Sequence, residues 1–127
     1  MLPASLLAIS LPLLCAQTGF VSAPALDIHY TGGAIAAKVT GSSPDFLGAV
    51  IVSDSDQLTH YFVGLPPLLS TFVILGIGQA SQGVLPMVVP HVTLPPVELK
   101  LFAQGVTLDA GVISSTDVMK FILPAAQ

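Results

Sequence analysis

The sequence predicts an all-β fold: an antiparallel two-sheet β-sandwich, Ig-like or jelly-roll-like, of about seven to nine short strands. Three observations lead there. The stretch "LDIHYTGGAIAAKVTG" alternates apolar and polar residues on either side of a Gly-Gly pair. Short apolar runs then recur, separated by Gly, Pro, Ser and Asp clusters. No apolar series of helical period follows the first residues, so no substantial helix is expected after them.

The elements follow in order. Leu26, Ile28 and Tyr30 alternate with Asp27, His29 and Thr31. Gly32-Gly33 supplies a two-residue turn able to take positive φ, and Ile35, Ala37 and Val39 alternate with Ala36, Lys38 and Thr40. This is a hairpin with one apolar face. "FLGAVIVS" is a continuous apolar run, as suits a strand covered on both faces. "SDSDQ" is a turn. "LTHYFVG" and "STFVILGIG" read as two further strands, separated by "LPPLL", where Pro66-Pro67 interrupts pairing. "QASQG" is a second turn. The segment "PMVVPHVTLPPVEL" carries prolines at 86, 90, 95 and 96, each lacking a ladder donor, so it reads as an edge strand or an extended crossover.

The last third holds "VELKLFAQGVTLD" and "DVMKFIL" as strands. Val97, Leu99, Leu101 and Ala103 share one face, and Val106 and Leu108 resume the apolar series after a gap of three. An extra residue at Gln104-Gly105 restores the phase, which predicts a β-bulge there. Asp109 ends the run, Ala110-Gly111 turns the chain, and Ser114 to Asp117 leads into the final strand with Asp117 as turn cap.

The segment 1–16 is read separately. The apolar run from Leu6 to Cys15 is too short for a comfortable membrane span, which needs about 20 residues. It suits the hydrophobic region of a secretory signal peptide, although no Lys or Arg precedes it. Cleavage after Ala16 is favoured. Cleavage after Ala23 has the better small-residue pattern, Val21-Ser22-Ala23, but sets Pro24 after the cut. After the first cut Cys15 is lost and the mature chain has no thiol. Residues 17–25 then form an extended N-terminal arm, and 26–127 a single sandwich domain.

The C-terminal half carries a recurrent set of parts: "QGVLPMVVP", a glycine-led strand with its proline-bearing connection; "VELKLFAQGVTLD", holding an apolar-Gln pair and a run ending in Asp; and "ISSTDVMKFIL", a turn before an alternating strand. Over about Gly83 to Leu123 this resembles the small all-β modules of secreted proteins of planctomycete-type bacteria. Thr116-Asp117 departs from the pattern, where Asn is usual. The resemblance implies export and a β-sandwich, and carries no activity.

Composition limits the functional classes. Apolar residues make up 53% of the 127 and charged residues only 8%, against about 25% in an ordinary soluble domain. The basic residues are Lys38, Lys100 and Lys120, and the net charge is −4. Nucleic-acid binding needs several cations on one face and is excluded on that ground. His29, His60 and His91 lack the short local spacing of a zinc site. Asp54 and Asp56 stand as Asp-x-Asp in a turn, with no calcium loop following. No Gly-x-Ser-x-Gly elbow is present, Glu98 is the only glutamate, and Trp is absent. The expectation is therefore no enzyme, no catalytic residue, no metal and no cofactor.

Charge scarcity points instead to self-association. About a third of the chain's surface stays exposed at this size. With so few charges that surface must include apolar area, which marks interfaces. The partner expected is a second copy, possible by strand addition at sheet edges that three lysines cannot blunt. The reading is a secreted subunit of an extracellular fibre, sheath or surface layer. The alternative is a monomeric cell-surface adhesion or ligand-binding module using the loops "TGSSPDF", "SDSDQ" and "DAGVISSTD".

Overall fold

The computed structural model describes residues 23–126. The signal segment and most of the arm lie outside the described residues. The strands are β1 (Ala25–Thr31), β2 (Ala34–Thr40), β3 (Leu47–Ser53), β4 (Leu58–Thr59), β5 (Leu68–Leu69), β6 (Val73–Gln79), β7 (Val84–Val89), β8 (Leu99–Asp109), β9 (Val112–Ser115) and β10 (Met119–Leu123). Every pairing between them is antiparallel. Among the described residues there is no helix, hence none long and apolar enough to cross a membrane. Among the described residues there are ten strands rather than seven to nine, because β4 and β5 form a two-residue ladder of their own.

The small sheet runs β1-β2-β7 and the large one β10-β8-β3-β6, with β9 pairing the far half of β8. The predicted hairpin is β1–β2, closed by Gly32 and Gly33 at φ of 60° and 81°. Its apolar residues Leu26, Ile28, Ile35, Ala37 and Val39 face the large sheet. There they pack in one core with Val50 and Val52 of β3, Ala103 of β8, and Phe121 and Leu123 of β10. The proline-rich stretch divides as its missing donors require: β7, with Pro86, is an edge strand, and residues 90–98 cross over to the large sheet.

Three expectations are corrected. The bulge is not at Gln104-Gly105: β8 pairs β3 without a break from Phe102 to Leu108. It lies in β6, where Val50 faces Gly76 and Ile51 faces Ile74, leaving Leu75 between. The apolar series of β8 changes phase because it changes face. Leu101 and Ala103 pack in the core, whereas Val106 and Leu108 lie on the outer face. Gly105 sits on the inner face, where a Cβ would come within 2.9 Å of Thr116 Cγ2 and 3.3 Å of Val39 Cγ2.

The second correction is that only Leu58–Thr59 of "LTHYFVG" forms strand, pairing with Leu68–Leu69 directly after the two prolines. Residues 60–67 form a loop with no ladder partner among the described residues. The third is that Thr116, not Asp117, caps the turn into β10. Thr116 Oγ1 accepts from Gly105 N at 2.9 Å and donates to Asp117 O at 2.8 Å.

Candidate functional site

Most polar residues singled out in the sequence are not brought together. His29 stands on β1 opposite Ala36, His60 in the 60–67 loop, and His91 just after β7 at φ 56°. Asp54 and Asp56 lie in a turn built by serines: Ser55 N donates to Ser53 Oγ at 3.1 Å and Gln57 N to Ser55 Oγ at 3.3 Å. Among the described residues no three His, Cys, Asp or Glu side chains group as a metal would need.

Two of the three loops do meet. Ser43 of "TGSSPDF" donates a hydrogen bond to the carboxylate of Asp109, the residue that ends β8. Beside that contact a cleft of about 280 Å³ opens at one end of the sandwich, lined by Gly41, Ser42, Phe46, Thr107, Asp109 and Ser114 among others. The third loop, "SDSDQ", follows the opposite end of β3.

Sequence reasoning missed the role of Gln104. It is 2% exposed and lies on the outer face of the large sheet, opposite Ile51. Its Oε1 accepts from Leu69 N at 3.1 Å, and its Nε2 donates to Pro67 O at 3.1 Å and Thr116 O at 3.3 Å. One amide thus fastens the 54–72 excursion onto the sheet. Leu69 becomes fully buried and Ile51 is covered from outside. The available signal was an amide inside an otherwise apolar strand, which a buried position must satisfy with hydrogen bonds.

The excursion covers only the middle of that face. Towards the start of β3 and the end of β8 the sheet remains open, and a shallow groove of about 180 Å³ runs across it. Ala49 forms its floor, paired with Ile77 of β6 on one side and Val106 of β8 on the other. Leu47, Leu108 and Ile113 complete the apolar lining, and no ionisable side chain takes part.

Comparison with known proteins finds no match. No family model, no curated protein and no solved structure matches this chain. The functional reading therefore rests on its own residues.

The groove continues to the sheet edge. Among the described residues no strand pairs with the outer side of β6, whose sequence VILGIGQ holds no charge and no proline. Val73, Ile74 and Ile77 are exposed there, Ile77 at 70%. Natural edge strands are ordinarily blunted by lysine, proline or brevity. On this side of the sandwich the small sheet's edge, β7, has Pro86; β6 has only the bulge at Leu75.

Proposed function

We propose that the chain is an exported structural protein that associates with further copies of itself as the subunit of an extracellular fibre, sheath or surface layer. The observation that carries this reading is the open apolar groove of the large sheet, continuous with the uncharged edge of β6. Contiguous apolar surface of this kind marks protein contacts, and an edge strand without charge or proline favours strand addition. Export is supported by the signal-like segment 1–16. The role is structural rather than catalytic.

Light scattering of the purified full chain at micromolar concentration tests it. Wild type is expected to exceed monomer mass. Ile77→Lys puts a charge on both groove and edge and is expected to return the chain to monomer with an unchanged melting temperature. A wild-type chain that is monomeric throughout overturns the proposal. A second reading, a monomeric surface-binding module, draws on the end cleft where Ser43 meets Asp109. It predicts a monomer whose ligand binding is lost in Asp109→Ala.

A further inference from the structure

The same outer face carries a projection as well as a groove. The 60–67 loop leads to a turn in which Leu65 N donates to Phe62 O at 3.2 Å. At that turn Phe62 is 70% exposed and Val63 completely so. The base of the loop is braced. Thr59 Oγ1 and Ser70 Oγ share a hydrogen bond at 2.6 Å, and the Tyr61 hydroxyl donates to the backbone carbonyls of Leu69 and Ser70. Gln104 holds Leu69 to the sheet beneath. The apolar tip is therefore held out on a pre-organised support, which lowers the ordering cost of a contact made through it.

We propose that the Phe62-Val63 tip of one copy seats in the groove of the next, joining copies head to tail. This rests on the self-association proposed above and names its contact. Three features choose a second copy as the occupant. The first is size: benzene occupies an apolar cavity of about 150 Å³, and the open groove, at about 180 Å³, is of the scale of one aromatic side chain. The second is charge. The chain carries a net −4, so copies repel one another in general. Residues 58–69 hold no Asp, Glu, Lys or Arg, and the groove lining is uncharged. Contact here avoids like-charge apposition. The third is placement. The groove's floor, Ala49, lies two residues along β3 from the excursion's anchor over Ile51, roughly 7 Å at the rise of a strand, and Phe62 is not part of the groove's lining. Tip and groove are different patches of one surface. A contact between them is heterologous, and such contacts propagate into open fibres unless the rotation closes a ring.

The experiment uses two variants of the full chain, each checked for wild-type circular dichroism. Phe62→Ser removes the tip. Ala49→Phe fills the groove, with Ile113→Lys as the substitute should Ala49→Phe not fold. Sedimentation velocity is read for each alone and for an equimolar mixture. Phe62→Ser is expected to raise the apparent dissociation constant of assembly by at least about 30-fold, the effect of losing a buried aromatic anchor. Each variant alone is expected to run as monomer. Their mixture is expected to stop at a one-to-one dimer, because one supplies only the tip and the other only the groove. A monomeric wild type defeats the self-association reading and this inference together. If wild type assembles and Phe62→Ser assembles equally well, or if the mixture stays monomeric, only the tip-in-groove contact is overturned.

Discussion

Replacing Gln104 by leucine keeps the volume of the side chain and removes its hydrogen bonds. Three backbone groups then lose their partner: Leu69 N–H, Thr116 C=O and Pro67 C=O. The bond from Leu69 N lies within buried surroundings, as does the bond to Thr116 O, while that to Pro67 O is part-buried and open to water. A buried group left without its hydrogen bond costs about 1–3 kcal/mol. Two such groups give about 2–6 kcal/mol, and the added apolar contact of leucine returns about 1 kcal/mol. The expected net loss is about 1–5 kcal/mol. For a domain near 100 residues each kcal/mol lowers the melting temperature by about 4–8 °C, and total stability is of the order of 5–15 kcal/mol. Urea titration followed by circular dichroism measures the loss, with the slope checked against wild type for two-state behaviour. Amide exchange gives the local signature: the Leu69 N–H should lose protection while those of β1 and β2 change only by the global amount. A Gln104→Leu chain within 0.5 kcal/mol of wild type, an order-of-magnitude threshold set by ordinary surface substitutions, would refute the claim that this amide fastens the excursion.

Three further outcomes are expected. Gly105→Ala places a methyl against Thr116 and Val39 and should destabilise by about 1–3 kcal/mol in denaturant titration. The loss should shrink in a Thr116→Ser background, where the Cγ2 at 2.9 Å is gone. Thr116→Val retains shape but leaves the Gly105 N–H without its acceptor, and about 1–3 kcal/mol should be lost in the same titration. The double variant Asp54→Ala, Asp56→Ala should leave the melting temperature unchanged with calcium or with chelator. A calcium-dependent rise in the wild-type melting temperature, abolished in the variant, would instead assign that turn a metal.

The parts of the fold legible in the sequence are those where alternation has one polar face. Leu26 to Thr40 alternates strictly around Gly32-Gly33, so strand bounds, turn and buried face could all be read locally. The prolines from 86 to 96 were as informative, because a missing N–H restricts a strand wherever it lies. Tyr61-Phe62-Val63 misled. Aromatic and β-branched residues favour strands by packing on a pleated surface, and among the described residues this segment is offered no neighbouring strand to pair with. The clamp was equally hidden, since Gln104 meets Leu69 and Pro67 across 35 and 37 residues, a distance no local pattern reports.

The error at Gln104-Gly105 has a physical cause that bears on function. Period-two reasoning assumes that one face of a strand is apolar, so a change of phase implies an inserted residue. In β8 both faces are apolar, each over a different half: Leu101 and Ala103 inward, Val106 and Leu108 outward. Gln104 is the outward residue at the changeover, covered by the excursion and satisfied by it. Beyond it nothing among the described residues covers the outward apolar half, and that half is the groove. A strand serving a single core would have polar residues at 106 and 108. The phase change is thus the trace in sequence of a second apolar surface, which in the proposed assembly is covered by the next copy. Val106→Thr with Leu108→Lys would restore conventional alternation. Both sites lie outside the core, so the melting temperature should hold within a few degrees while sedimentation reports loss of assembly. A double variant that unfolds would show instead that the outward half is needed for the fold of the single chain.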